Sequence, residues 1–167
     1  NVYTPFYHRN GFEQEAIYII KDIEPFNFTP AYWGMLPESY NLNQRGAFLK
    51  KSNTLNARAE GLHKRPMFNK LIKHNRCLIL ADGFFEPHGF NGQNYPHYIT
   101  YKDHSIMGIA GIYTELEEGI FTVSLITTLA NEYFKNIYNK KNNLGEYRMP
   151  LILDERDERD WLDTNLQ

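Results

Sequence analysis

The chain has 167 residues with 42% hydrophobic residues, which suits one soluble globular domain that buries its own core. The formal net charge of −2 excludes a global field that draws the chain to nucleic acid or anionic lipid, so any nucleic-acid site must be a local groove. A single cysteine, Cys77, excludes an internal disulfide framework and predicts a reducing, cytoplasmic location, and without any run of about 20 apolar residues we expect no membrane partner.

The N-terminal half of the chain predicts short strands and helices joined by loops. Residues 1–12 are polar and aromatic and predict coil or an edge segment, whereas the apolar, β-branched run 16–20 predicts a buried strand. Prolines in 24–30 predict a loop, because the residue before a proline is pushed out of the helical region. Residues 42–51 predict a short helix, and Pro66 suits the first turn of a second helix.

The C-terminal half predicts more strands, followed by helices. The predicted strands are 76–81, 84–86, 97–101, 106–113, 120–127 and 151–153, and the predicted helices are 129–139 and 154–162. Residues 89–94, rich in Gly and Asn, predict a loop, and the charges around 70–76 predict a solvated face. Aromatic residues make up 15% of the chain and favour strands. We therefore predict one α+β domain, mainly antiparallel β, in a barrel-like meander with a few peripheral helices.

Metal and cofactor motifs are missing from the sequence. The histidines form no HxxxH pair, and Cys77 has no CxxC partner, so a zinc site is not predicted. The sequence contains no glycine-rich phosphate loop, so no nucleotide cofactor is predicted. Cys77 lies inside an apolar run and is expected to be an inert, buried side chain.

Glu86 is the strongest candidate for chemistry. It follows two phenylalanines at the end of a predicted strand, where partial desolvation would raise its pKa and let it exchange protons near neutral pH. A surface glutamate is an equally good interpretation from the residues alone. Glu60 and Glu86 could instead form a paired-carboxylate hydrolase, although the sequence does not set their separation.

An aromatic and apolar stretch runs from Trp33 to Pro37. Composition alone favours a strand end that fills the core. The alternative is an apolar wedge beside a binding groove.

An ordered set of motifs spans nearly the whole chain. The motifs are Trp-Gly-Met-Leu-Pro at 33–37, Asn-Ala-Arg-x-Glu at 56–60, Arg-Cys-Leu-x-x-Ala-Asp-Gly-Phe-Phe-Glu at 76–86, Ala-Gly-Ile-Tyr at 110–113, Ile-Thr-Thr-x-Ala-Asn at 126–131 and Arg-Met-Pro-x-Ile-Leu at 148–153. With this set the chain resembles the SOS-response-associated peptidase (SRAP) family, the abasic-site processing proteins. The resemblance implies a single domain over residues 1–167 that lacks its extreme N-terminus in this sequence.

The resemblance implies a sensor of abasic sites in single-stranded DNA, and we expect the protein to be a monomer. In that family a cysteine exposed at the N-terminus attacks the ring-opened sugar and closes a thiazolidine, a covalent protein–DNA crosslink. A proposed autopeptidase activity frees that cysteine. Here Asn1 and Val2 occupy the start, so the nucleophile is expected upstream. A degenerate module that binds single-stranded DNA without chemistry is the alternative.

Site residues are expected at the positions that match the family's motifs. Glu86 would move protons, and the Asn56 amide would orient the sugar or the terminal amine. The expected DNA contacts are Arg58 and Arg148 to phosphates, and Trp33, Met35, Leu36 and Pro37 as a wedge between bases.

One family residue is replaced in this chain. The family has a histidine shortly before Arg-Met-Pro, and the matching context here holds Tyr138, whereas strict spacing from Arg148 gives Glu146. We favour Tyr138, whose phenol can donate a hydrogen bond but is a poor base at neutral pH.

Overall fold

The computed structural model describes residues 5–13, 15–117 and 119–166, so the first four residues of the predicted N-terminal coil, with Asn1 and Val2, lie outside the described residues. The strands are β1 (Ala16–Lys21), β2 (Glu24–Trp33), β3 (Asn56–Arg58), β4 (Arg76–Ala81), β5 (Phe84–Phe90), β6 (Gln93–Ile99), β7 (Met107–Glu117), β8 (Ile120–Leu129), β9 (Arg148–Pro150) and β10 (Ile152–Leu153). The α-helices are α1 (Arg45–Lys51), α2 (Pro66–His74), α3 (Glu132–Ile137) and α4 (Glu155–Leu162). None of these helices is long and apolar enough to span a membrane.

The main sheet has the strand order β10-β7-β4-β1-β2-β8-β3, and β9 pairs with the far part of β8. An additional pairing of β7 with β8 curls this sheet into a barrel-like shape. β5 and β6 form a separate antiparallel hairpin. The α+β, mainly antiparallel, barrel-like prediction is therefore confirmed, with the addition that β2 and β3 run parallel to β8.

Two predicted loops are wrong. Pro25 and Pro30 lie within β2, where Glu24 and residues 28–30 pair with β1 across a shift in register, and the pairing with β8 begins only at Ala31. An edge segment of this kind tolerates proline. The predicted loop 89–94 shrinks to Asn91 and Gly92, which both have positive φ, as a two-residue hairpin turn of type I′ requires.

The core lies on both faces of the main sheet, which explains why its strands are continuous apolar runs. In β4, Cys77 and Ile79 contact one cluster of buried side chains, and Leu78 contacts the other. The second cluster is covered by α2 through Phe68 and Leu71. Cys77 is fully buried, and burial raises the pKa of its thiol, as expected of an inert cysteine.

Arg76 anchors the C-terminal helix, so its expected place on a solvated face is wrong. The residue is 8% exposed, and its guanidinium donates to the carbonyl oxygens of Ile72 at 2.9 Å, Trp161 at 3.2 Å and Leu166 at 2.8 Å. The Trp161 indole donates in turn to the carbonyl oxygen of Cys77 at 2.9 Å. The bonds to Trp161 and Leu166 hold the last turn of α4 and the segment after it, where carbonyl groups have no partner within the helix.

Replacing this guanidinium is expected to destabilise the fold. Arg76→Leu leaves several carbonyls without donors and should lower the free energy of unfolding by about 2–4 kcal/mol, measured by urea denaturation. Lys73→Leu, at an exposed position of α2, is the matched control. Equal stabilities of the two variants would contradict this account.

Candidate active site

A cleft of about 280 Å³ lies between the β5–β6 hairpin and the ends of β2, β3, β8 and β9. Widely separated parts of the chain supply its wall. The predicted site residues that line it are Trp33, Asn56, Glu86, Tyr138 and Arg148. The structure therefore brings together all three residues predicted for catalysis.

Glu86 lies on β5 beside Phe84 and Phe85, which line the same cleft. Burial raises the pKa of Glu86 to about 7, so the prediction of a partly desolvated carboxyl group is confirmed. At neutral pH this group is present in comparable amounts as acid and as carboxylate. It can therefore give and take a proton in one reaction cycle.

Tyr138 directly follows α3, where its backbone N–H donates to the carbonyl oxygen of Phe134 at 2.8 Å. Burial raises the pKa of the Tyr138 phenol, and the negative charge of Glu86 raises it further. The phenol therefore stays protonated near neutral pH and is available as a hydrogen-bond donor beside Glu86. Glu146, the other candidate for the family's histidine position, instead approaches Arg58 at 3.6 Å.

Asn56 is the first residue of β3 and pairs with Leu125 of β8 in a parallel ladder. It is exposed and faces the cleft. A side-chain amide presents both donors and an acceptor. At this position it can orient a hydroxyl group, a carbonyl group or an amine bound beside Glu86.

Arg148 is held by an ion pair at the floor of the cleft. Its guanidinium makes two bonds to the Glu60 carboxylate at 3.1 and 3.0 Å and one to the carbonyl oxygen of Thr127 at 2.7 Å. Only 11% of the Arg148 side chain is exposed. The same bonds lower the pKa of Glu60, so Glu60 is an ionised structural partner rather than a proton donor.

Arg58 faces a second cavity, of about 310 Å³, together with Lys64 and Arg65. Glu60 lines this cavity and Glu86 lines the first, so the two carboxyl groups do not share one site. The hydrolase alternative has no support in this geometry. The Arg148–Glu60 ion pair lies between the two cavities.

The expected wedge is wrong for Met35 and Leu36, which are fully buried. The Leu36 backbone N–H donates to Thr122 Oγ1 at 3.0 Å, and its carbonyl oxygen accepts from Thr114 Oγ1 at 2.8 Å. The chain turns inward after β2 at Gly34, whose φ of 111° suits glycine. Of this stretch, Trp33 lines the cleft and Pro37 stays half-buried.

Several contacts around the cleft were not found from the sequence. Phe85 packs against Tyr98 across the hairpin with ring centroids 4.9 Å apart. The ring of His8, in the N-terminal segment, packs edge-on against Phe85 with centroids 5.5 Å apart. His88 and Asn139 join the hairpin to the segment after α3. No motif predicts these contacts, because the partners are distant in sequence. Among the described residues, no cluster of His, Cys, Asp and Glu could hold a metal ion.

Comparison with known proteins identifies the family. A profile described as SOS response associated peptidase (SRAP) matches residues 4–167. The chain belongs to the SRAP family. This confirms the resemblance inferred from the ordered motifs, several of which contribute residues to the cleft.

Similar proteins support this membership. The chain is 30% identical over 154 residues to the Bacillus subtilis protein named Abasic site processing protein YoqW, covering 89% of this chain and 63% of that protein. The chain therefore spans less than two thirds of that SRAP relative. A crystal structure of a Bacteroides thetaiotaomicron protein has a TM-score of 0.79 and 32% identity, covering 96% of this chain and 68% of that one. A crystal structure of a Bordetella bronchiseptica protein has a TM-score of 0.74 and 26% identity, covering 90% of this chain and 74% of that one.

The raised pKa of Glu86 predicts a pH-dependent stability. The ordinary pKa of this carboxyl group is 4.5, and below that pH the group is protonated in both the folded and the unfolded chain. Between pH 4.5 and about 7 only the unfolded chain releases the proton. The folded parent chain therefore loses stability as the pH rises. Between pH 4 and pH 8, the free energy of unfolding of Glu86→Gln should rise by about 2–3 kcal/mol relative to that of the parent chain.

Urea denaturation across this pH range measures the difference. Glu117→Gln, at an exposed glutamate at the end of β7, is the matched control and should show no such gain. A constant difference between Glu86→Gln and the parent at all pH values would contradict the shifted pKa.

Proposed function

We propose that this chain processes abasic sites in single-stranded DNA, with the ring-opened sugar bound in the cleft beside Glu86. The observation that carries the proposal is the convergence of Asn56, Glu86 and Tyr138 in one cleft, around a carboxyl group with a pKa of about 7. The name of the Bacillus subtilis relative, Abasic site processing protein YoqW, points to the same substrate.

The chemistry we propose needs an amine and a thiol from a cysteine upstream of Asn1. The described N-terminal segment runs along the cleft wall, since His8 contacts Phe85 and a Cβ at Gly11 would lie 3.2 Å from the Trp33 ring. This course supports a path by which upstream residues reach the cleft. An α-amine has a pKa of about 8 and is partly neutral at physiological pH, as nucleophilic attack requires.

The proposed reaction has balanced proton transfers. The neutral amine attacks the sugar aldehyde and forms a carbinolamine, to whose hydroxyl group Glu86 gives its proton as water leaves. The thiol then loses its proton to the Glu86 carboxylate while sulfur attacks the iminium carbon, which closes a thiazolidine and restores the acid. The product is a protein–DNA crosslink, and one water is released.

Asn56 and Tyr138 would support these steps by hydrogen bonding. The Asn56 amide would hold the sugar or the terminal amine, and the protonated phenol of Tyr138 would donate to an oxygen of the sugar. The family's autopeptidase activity would precede the reaction, by freeing the cysteine. These assignments place binding and proton transfer on different side chains.

The second cavity is proposed as the path of the DNA backbone. Arg58 is 41% exposed and only loosely paired with Glu146 at 3.6 Å, so a phosphate can displace that carboxylate. Lys64 and Arg65 are exposed in the same cavity. Arg148 is bound to Glu60 and would contribute as a second, more fixed cation near the phosphates.

The central test mixes the full-length product, with its N-terminal residue identified by mass spectrometry, and single-stranded DNA carrying one abasic site. A heat-stable adduct should form, and Glu86→Gln should slow its formation about 100-fold. Glu117→Gln is the control and should react at the parent rate.

The outcomes separate the two candidate functions. Binding without an adduct would refute the crosslinking chemistry and leave the DNA-binding module. Loss of binding even at low salt would refute both functions.

Arg58 should contribute to the binding of single-stranded DNA through its positive charge. Arg58→Ala is expected to weaken binding to single-stranded DNA with little dependence on sequence. It should also reduce the slope of log K against log salt by about 0.7, as for the loss of one phosphate contact on a single strand. Fluorescence anisotropy over a salt series measures both. Arg156→Ala, at an exposed position on α4 that lines neither cavity, should leave the slope unchanged, and an equal change there would contradict the assignment.

A further inference from the structure

His88 lies two residues after Glu86 on β5 and so shares its face of the hairpin. Its Nδ1 is 2.8 Å from the carbonyl oxygen of Ile137, the last residue of α3. Because a carbonyl oxygen only accepts, Nδ1 must carry the proton and donate. One side of the imidazole is therefore committed to holding the end of α3.

Asn139 completes the contact from the other side. Its Oδ1 accepts from the Gly89 backbone N–H at 2.8 Å, and its Nδ2 donates to the Gly89 carbonyl oxygen at 2.8 Å. This pair sets the orientation of the amide and leaves the second N–H of Nδ2 facing Nε2 of His88 at 3.4 Å. Lys140 adds a bond from its Nζ to Asn94 Oδ1 on β6.

The geometry excludes a role for His88 as the base that replaces the family's histidine. Its two ring nitrogens face Ile137 and Asn139, so neither is presented to a sugar in the cleft. His88 is therefore a poor candidate for proton transfer. His97 lies directly opposite Glu86 in the hairpin, is exposed, and bonds through Nδ1 to the carbonyl oxygen of Tyr95 in its own strand at 3.0 Å.

Tyr138 lies between Ile137 and Asn139, which are both hydrogen-bonded to the hairpin. Ile137 is held through its carbonyl group and Asn139 through its side chain, so the backbone at Tyr138 cannot move away from the hairpin without breaking these bonds. We propose that His88 is a positioning residue, which together with Asn139 holds Tyr138 beside Glu86 and closes that side of the cleft to water. This inference deepens the proposed function and rests on it for its role in the reaction.

The consequence is a link between the His88–Asn139 contact and the proton affinity of Glu86. Desolvation is what raises the pKa of Glu86, and Tyr138 in the same cleft contributes to that desolvation. Among the described residues, the other titratable or charged groups that face Glu86 are His88 on its own strand, His97 from β6 and Arg148 from β9. If the segment after α3 loosens, water reaches the carboxyl group and its pKa falls.

The test is a carbon-13 NMR titration of the Glu86 side-chain carboxyl in the full chain, with the signal assigned by its loss in Glu86→Gln. His88→Phe keeps a planar ring but removes both nitrogens, and the midpoint should fall by about one pH unit. His88→Asn, whose Nδ2 can take the place of Nδ1, should restore most of the parent midpoint. His74→Phe, at an exposed position at the end of α2 that lines neither cavity, is the matched control and should leave the midpoint unchanged.

A second variant guards against a folding defect in His88→Phe. Asn139 is exposed, so Asn139→Ala should fold normally and lower the midpoint in the same direction. Unchanged midpoints in folded His88→Phe and Asn139→Ala would overturn the proposal, as would an equal fall in His74→Phe.

The titration needs no DNA and therefore separates this proposal from the proposed function. A lowered midpoint in a chain that forms no adduct would uphold the positioning role and refute the crosslinking chemistry. If an adduct forms, the pH of half-maximal crosslinking should shift with the NMR midpoint. A crosslinking profile that does not move in His88→Phe would overturn the role of His88 in the reaction.

Discussion

The cleft depends on the pairing of β8, which has more partners than its neighbours in the sheet. β8 forms ladders with β7, β2, β3 and β9. Its register sets Trp33 against Val123, Asn56 against Leu125 and Pro150 against Thr127. Since a shift of one residue would turn every side chain of a strand to the opposite face, this register decides which groups enter the cleft.

The second constraint is the hairpin that stands outside the main sheet. β5 and β6 pair with each other, and the hairpin is held to the body by contacts with α3 and the residues that follow it. Phe84 stacks on Phe134 with centroids 6.0 Å apart, and His88 bonds to the end of α3. The raised pKa of Glu86 therefore originates in how the hairpin docks, because docking is what removes water from the carboxyl group.

Charge in the site is balanced locally rather than by the chain as a whole. Arg148 is tied to Glu60 at 3.0 Å, and Arg58 is loosely paired with Glu146 at 3.6 Å. The first pair sustains structure, because Arg148 is nearly buried and removing Glu60 would leave a poorly solvated cation. The exposed pair is weak in water and can exchange its partner. The two arginines thus have different capacities to bind a ligand.

The sequence by itself determined the family, the fold class and most strands, with 76–81 correct to the residue, because apolar runs and turn residues are local signals. It also made Glu86 a candidate, since the neighbouring phenylalanines are adjacent in the chain, but it left a surface glutamate as an equally good interpretation. Only the tertiary structure decided that Met35 and Leu36 are core residues, that Arg148 belongs to Glu60, and that the hairpin is fastened to the end of α3. Burial and ion pairing depend on segments far apart in sequence, which meet only when the sheet is assembled around β8.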